Sequence, residues 1–242
     1  IDYFDNNVVG SISLLKAMQN VKLNNLVFSS SATIYGTPQY LPLDEEHPKI
    51  AINPYGRSKL QIEEILYDLV KSNTDMNIAC LRYFNPVGAH QSGLIGENPN
   101  NLPNNLMPYI SQVAIGKLPY LNIFGNDYNT SDGTGVRDYI HVMDVAEGHL
   151  AALNLIQKEK GWHAINLGSG KGFSVLEVIK TFEFATNKII PYKVKERRIG
   201  DVAMCYADVR KAKQKLNWET KRSLFEMCSS AWKFEKFNQQ NF

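Results

Sequence analysis

Apolar positions early in the chain recur at helical spacing. Val8, Ile12 and Leu15, with Leu14 and Met18 beside them, read as an amphipathic helix already under way where the sequence starts. Leu26, Val27 and Phe28 form a short continuous apolar run, the pattern of a strand buried on both faces of a parallel sheet, and it ends in Ser29, Ser30 and Ser31. A loop follows through Pro38, Pro42 and Pro48. Asn53 and Pro54 then open a helix, Asn as N-cap and Pro at the first helical position, that runs to about Lys71. Ile78 to Leu81 is the next strand, and the order helix, strand, helix, strand predicts a doubly wound α/β sheet. From about Pro86 to 135 the chain is rich in Gly, Pro and Asn, which predicts a loop-rich second domain with a helix from Pro108 to Ile115 closed by Gly116. Regular α/β texture returns with a helix N-capped by Asp144, a strand at 164–167, a helix opened by the capping box Ser174 and Glu177, and C-terminal helices from Asp208 and from Phe225 to Phe237.

Composition narrows the partners. The 242 residues are 44% hydrophobic and 21% charged, enough for one large or two small domains with a sizeable core. The formal charge is only +2 and the basic residues are scattered apart from Lys193 to Arg198, so no nucleic-acid partner is expected. Nor is a membrane partner, since no apolar run reaches spanning length. The three cysteines, Cys80, Cys205 and Cys228, are odd in number and widely spaced, as for reduced thiols in the cytoplasm. The first residues lack an initiator Met, and with the helix already under way this predicts that a segment of the domain precedes them.

Candidate chemistry lies on the helix after Pro54. Tyr55, Lys59, Ile62, Leu66 and Leu69 are spaced by four, three, four and three residues and share one face, whose later part points to the core. Spacing alone leaves two readings of Lys59: a side chain that snorkels to water, or one that faces a nucleotide cleft at the strand ends. In the second, the lysine supplies the cation that a phenol needs to act as a base near neutral pH.

Tyr55-Gly-Arg-Ser-Lys59 matches the Tyr-x-x-x-Lys of the short-chain dehydrogenase/reductases. With Ser29 to Gly36, Leu81 to Pro86, Pro103 to Pro108, Phe124 to Tyr128, Asp132 to His141 and Arg197 to Asp201, the chain resembles the UDP-hexose 4-epimerases of the extended branch of that family over essentially all its length. The resemblance implies a Rossmann-like doubly wound parallel sheet, its N-terminal strands outside this sequence, over 1–86 with 139–168 returning to it. A smaller mixed α/β substrate-binding domain takes most of 87–242.

The resemblance also implies roles. Tyr55 is the catalytic base, Lys59 its modulator and a ribose ligand, and Ser31, assigned by motif, relays the proton of the sugar 4-hydroxyl. Asn6, Asn7, Ser31, Tyr55, Lys59 and Tyr83 match cofactor contacts, with NAD the implied cofactor. Ser31, Ala32, Thr33, Tyr83, Phe84, Asn85, Asn104, Asn105, Leu106, Asn122, Ile123, Phe124, Arg137, Arg198, Ile199, Gly200, Asp201 and Cys205 match contacts to a UDP-sugar. Two arginines suit a diphosphate, Asn amides suit uracil and phosphate, and an Asp accepts from ribose hydroxyls. Cys205 falls where bacterial epimerases often carry Tyr, which leaves room for a 2-acetamido group; a small buried hydrophobe is the competing reading. A homodimer through the helices near 6–19 and 54–71 is implied as well.

The implied reaction is reversible NAD-dependent epimerisation at C4 of UDP-hexoses, as in galactose metabolism. A nucleotide-sugar 4,6-dehydratase needs an acid and a base beside the catalytic Ser or Thr, and Ser31-Ala32-Thr33 supplies no carboxylate. The resemblance assigns this activity to the full-length parent, while the 242 residues alone are expected to be inactive and to hold little NAD; a non-catalytic nucleotide-binding fragment is the rival of a different class. The Gly-rich fingerprint that seats a dinucleotide pyrophosphate is nowhere in these residues. Leu167 to Gly172 imitates a phosphate loop but lacks the glycine spacing, and reads as a tight strand-to-helix turn. His141 and His149 have no metal-ligand spacing, so no metal is expected.

Overall fold

A computed structural model of the chain describes residues 1–72, 75–99, 103 and 105–241. A π-helical turn, Phe4–Val9, leads into α1 (Gly10–Asn20), followed by β1 (Asn25–Ser31), a 3-10 turn (Ala32–Tyr35), α2 (Pro54–Ser72), β2 (Asn77–Tyr83) and β3 (Asn85–Val87). Then come α3 (Leu106–Ala114), β4 (Leu121–Phe124), β5 (Val136–His141), α4 (Val142–Ile156), β6 (Gly161–Leu167), β7 (Gly172–Ser174) and α5 (Val175–Thr186). The chain closes with β8 (Tyr192–Lys195), β9 (Met204–Cys205), α6 (Arg210–Leu216) and α7 (Leu224–Asn241).

These elements form two compact units. The first comprises Ile1–Phe84, Ala146–Leu167 and Ala207–Glu219; the second comprises Asn85–Val145, Gly168–Tyr206 and Thr220–Phe242. The returning segment thus begins at Ala146, and residues 207–219 lie with the first unit.

In the first unit three parallel strands pair in the order β1-β2-β6, with Phe28 opposite Cys80 and Cys80 opposite Ala164. The central strand β2 is buried on both faces, as is the second half of β6. Leu26, Val27 and Phe28 are only half-buried, against expectation, because β1 pairs along one edge alone among the described residues. Asn53 Oδ1 accepts the Gly56 N–H at 2.8 Å, the expected cap of α2. Ile62 and Leu66 are each 1% exposed and pack with Leu15, Met18, Ile78 and Cys80, so the apolar stripe of α2 faces the sheet. Leu14, by contrast, is 53% exposed, so the buried stripe of α1 is narrower than its apolar pattern. A Cβ at Gly56 would meet the Thr33 carbonyl oxygen at 2.7 Å; glycine is what lets α2 approach the turn after β1 so closely.

In the second unit β5 pairs with β3, β7 and β9, and β4 and β8 form a separate parallel pair. Its core gathers Ile110, Leu121, Ile123, Tyr139, Val178, Phe182 and Met227. The Ser174–Glu177 capping box forms as expected: Ser174 Oγ accepts the Glu177 N–H at 3.0 Å and Glu177 Oε2 accepts the Ser174 N–H at 2.7 Å. Helix α3 starts at Leu106 because Asn105 is extended and Pro108 is accommodated in the first turn. Asp144 is not the cap of α4. That helix continues straight from β5, and the Asp144 carboxylate instead pairs with the Arg222 guanidinium and accepts the Arg222 N–H at 3.1 Å. The turn at 168–172 joins two strands, not a strand and a helix. Its amides are occupied by Asp138, which accepts from Ser169 N at 2.7 Å and Gly170 N at 3.0 Å, so a carboxylate stands where a phosphate loop would hold its anion.

Candidate active site

The three serines end β1, with Ser29 and Ser31 on one face of the strand and Ser30 on the other. Ser29 is exposed: its main-chain carbonyl accepts from Lys59 Nζ at 2.9 Å, and its hydroxyl meets the Tyr83 phenol and, at 3.4 Å, His149 Nε2. Ser30 is fully buried and bonds Glu63 Oε1 at 2.5 Å. Ser31 Oγ accepts from the Thr33 amide at 3.2 Å and bonds Thr33 Oγ1 at 2.9 Å, and the Ser31 hydroxyl lowers the pKa of the Tyr55 phenol. The Thr33 amide takes one acceptor position of Ser31 Oγ, and the hydroxyl proton and the other lone pair serve its remaining partners.

Burial pushes the Tyr55 phenol above its ordinary pKa, the Ser31 hydrogen bond opposes this, and Tyr3, whose ring lies edge-on at 5.8 Å, adds to the rise. Burial also lowers the pKa of Lys59. The Lys59 ammonium lies 5.1 Å from the centroid of Phe28 and 5.8 Å from that of Tyr55, yet its hydrogen bond goes to Ser29 and not to the phenol. Asn7 Nδ2 donates to Ser58 Oγ at 2.9 Å, and Ser58 Oγ donates to the Tyr55 carbonyl at 2.8 Å, which braces the start of α2. Asn6 is exposed and bonds only Asn7, at 2.8 Å, among the described residues. Ala32 and Phe84 are buried beside the strand ends.

The second unit carries the remaining candidates. Asp201 lies between two cations, 3.7 Å from Arg137 Nη2 and 3.1 Å from Arg198 Nε, and the Arg198 guanidinium stacks 4.6 Å over the Phe124 ring. Asn122 Oδ1 is buried without a hydrogen-bond partner. Cys205 pairs in register with Arg137, and burial pushes its thiol up to about 11, so it is a neutral group. Asn85 opens β3 opposite Tyr139, Ile123 is core, and Asn105 Nδ2 donates to Glu97 at 3.0 Å just before Leu106. Ile199 is fully exposed and Gly200 takes a positive φ of 86°. Asn104 lies outside the described residues.

Sequence reasoning missed Ser29, Ser30, Glu63, Arg82 and His149. A signal existed for two of them: Arg82 interrupts an apolar strand, and Glu63 adjoins Ile62 on the buried side of α2, so each needed a partner of opposite charge. It also missed that Arg197 is bound to Asp127 at 2.8 Å and stacked on Tyr128 at 4.2 Å, which leaves its neighbour Arg198 to pair with Asp201.

Residues 1–231 match the family model described as GDP-mannose 4,6 dehydratase. The chain is 52% identical over 242 residues to a UDP-glucose 4-epimerase of Bacillus subtilis (strain 168), covering all of this chain and 71% of that protein. To a Homo sapiens UDP-glucose 4-epimerase it is 54% identical over 243 residues, covering all of this chain and 70% of that protein. A crystal structure of a UDP-glucose-4-epimerase from Stenotrophomonas maltophila with bound NAD and formylated UDP-arabinopyranose superposes with a TM-score of 0.98 at 49% identity, over all of this chain and 72% of that one. At this identity and full coverage of its own length, the chain belongs to the UDP-glucose 4-epimerase family.

Proposed function

We propose that the protein to which these residues belong performs reversible, NAD-dependent epimerisation at C4 of UDP-hexoses, interconverting UDP-galactose and UDP-glucose. The observation that carries this reading is the grouping of Ser31, Tyr55 and Lys59: the Ser31 hydroxyl lowers the pKa of the Tyr55 phenol, and the Lys59 ammonium lies 5.8 Å from the Tyr55 ring centroid. Ser31 takes the proton of the sugar 4-hydroxyl as it gives its own to Tyr55, and the reverse transfer returns it; the donated bond favours the phenolate that burial opposes.

The donor set at the strand ends fits NAD. The half-buried Lys59 ammonium has one bond, to Ser29, among the described residues, and with Tyr83, Ser29 and Asn7 it offers the mixed donors that ribose hydroxyls and a carboxamide take. When bound, the nicotinamide supplies a hydride acceptor and donor for C4. In the second unit Arg137 and Arg198 suit the diphosphate, Asp201 the ribose hydroxyls, and the unpartnered Asn122 Oδ1 a ring N–H of the base. The first unit is accordingly the NAD-binding domain and the second the UDP-sugar-binding domain. The neutral half-buried Cys205 favours acceptance of UDP-N-acetyl sugars as well.

A dehydratase reading requires a carboxylate free to act beside Ser31. Glu63, on the same helix as Tyr55, is instead held by Arg82 and Ser30. Val9 and Leu14 on the first helical segment and Tyr67 on α2 are exposed apolar side chains that support a homodimer through 6–19 and 54–71. Among the described residues no helix is long and apolar enough to cross a membrane, and three free cysteines accord with a reducing cytoplasmic setting.

The experiment is turnover of UDP-galactose deuterated at C4. UDP-glucose that keeps the label at C4 supports the reading; a 4-keto-6-deoxy product, or label lost to solvent, overturns it.

A further inference from the structure

Behind the catalytic side chains lies a buried polar network. Arg82, 2% exposed, meets Glu63, 1% exposed, through two parallel bonds: Nε to Oε1 at 3.0 Å and Nη2 to Oε2 at 2.7 Å. Its Nη1 donates to the Tyr35 hydroxyl and to the Glu45 carbonyl, each at 3.1 Å. Tyr35 donates to Asn166 Oδ1 at 2.6 Å, and Ser30 Oγ donates to Glu63 Oε1 at 2.5 Å. An ion pair taken out of water recovers its desolvation cost only with such geometry and with its remaining groups satisfied, as they are here.

The position of each member is informative. Ser30 precedes Ser31 on β1, Glu63 stands one turn beyond Lys59 on α2, and Arg82 precedes Tyr83 on β2. One carboxylate therefore joins the three elements that carry the proton-handling and cofactor-facing groups.

We propose that Glu63, through its bonds to Ser30 and Arg82, is a positioning residue that sets Ser31 at the distance from Tyr55 and Lys59 that proton transfer needs. The proposal rests on the reading of Ser31 and Tyr55 as the proton-transfer pair. A displacement of about 1 Å in such a pair costs roughly a hundredfold in rate.

The test is Ser30→Ala in the NAD-loaded enzyme, which severs β1 from the carboxylate and leaves the Glu63–Arg82 pair intact. Turnover of UDP-galactose falls about ten- to hundredfold while KM stays within about twofold. The rising limb of kcat against pH moves upward, because a displaced Ser31 favours the phenolate less. Glu63→Gln, which keeps the shape of the side chain, acts in the same direction. A purely stabilising role lowers Tm and leaves the limb where it was. Unchanged turnover and limb in Ser30→Ala, or a loss that follows Tm with no movement of the limb, overturns the proposal. Tyr55→Phe measured in parallel separates the two ideas: if it is inactive while Ser30→Ala is normal, the positioning role alone fails, and if it is fully active the underlying reading fails.

Discussion

The ammonium of Lys59 donates to the main-chain carbonyl of Ser29 at 2.9 Å, while the ring of Tyr55, one turn earlier on α2, has its centroid 5.8 Å away. The bond to Ser29 holds the ammonium beside the Tyr55 ring. The base must be deprotonated, so activity rises with pH through the Tyr55 pKa, and removing a nearby cation raises that pKa further. Lys59→Ala is therefore expected to lower kcat and to move the rising limb of the pH–rate profile upward; full profiles of both enzymes check this.

Cys205 offers a neutral, half-buried thiol in the second unit, paired in register with Arg137. A tyrosine there adds a ring to a site that now holds one sulfur atom. Wild type is expected to epimerise UDP-N-acetylglucosamine, and Cys205→Tyr to lose that activity while keeping UDP-galactose turnover. Absence of the N-acetyl activity in wild type contradicts the assignment.

Ser174 joins two devices, capping α5 and donating to Asp132 Oδ2 at 2.5 Å. Burial works to raise the Asp132 pKa, but the bonds from Ser174 and Thr134 outweigh it and hold the carboxyl below its ordinary value. A group whose folded pKa is depressed contributes stability above its unfolded pKa, about 3.9, and that contribution is lost as pH falls through the folded value. Ser174→Ala should cost about 1 kcal/mol at neutral pH from the lost cap. Its effect should be smaller at a pH below about 3.9 than at neutral pH, because the Asp132 contribution is lost as pH falls through its lowered folded pKa. Urea midpoints at the two pH values measure the difference.

Local signals in the sequence were enough for the framework. Asn53-Pro54 and Ser174-x-x-Glu177 announce helix starts through contacts within one turn, and both form as read. The Tyr55–Lys59 spacing likewise fixes two side chains on one face of α2. What escaped depends on partners far along the chain. Arg82 finds Glu63 on another element, the amides at 169 and 170 find Asp138, and Asp144 finds Arg222. A one-dimensional pattern shows that such a group needs a partner but not which one. The half-burial of Leu26 to Phe28 was illegible for a related reason, because an apolar run states what a strand can bury, while pairing determines what it does bury.

Phenylalanine at 55 removes one oxygen and nothing else, so it tests the base directly. In the NAD-loaded enzyme, Tyr55→Phe should lower kcat for UDP-galactose by about two to four orders of magnitude, the usual worth of a positioned general base, with bound cofactor and circular dichroism unchanged. Turnover within about threefold of wild type would contradict the assignment of Tyr55 as the group that receives the proton of the 4-hydroxyl.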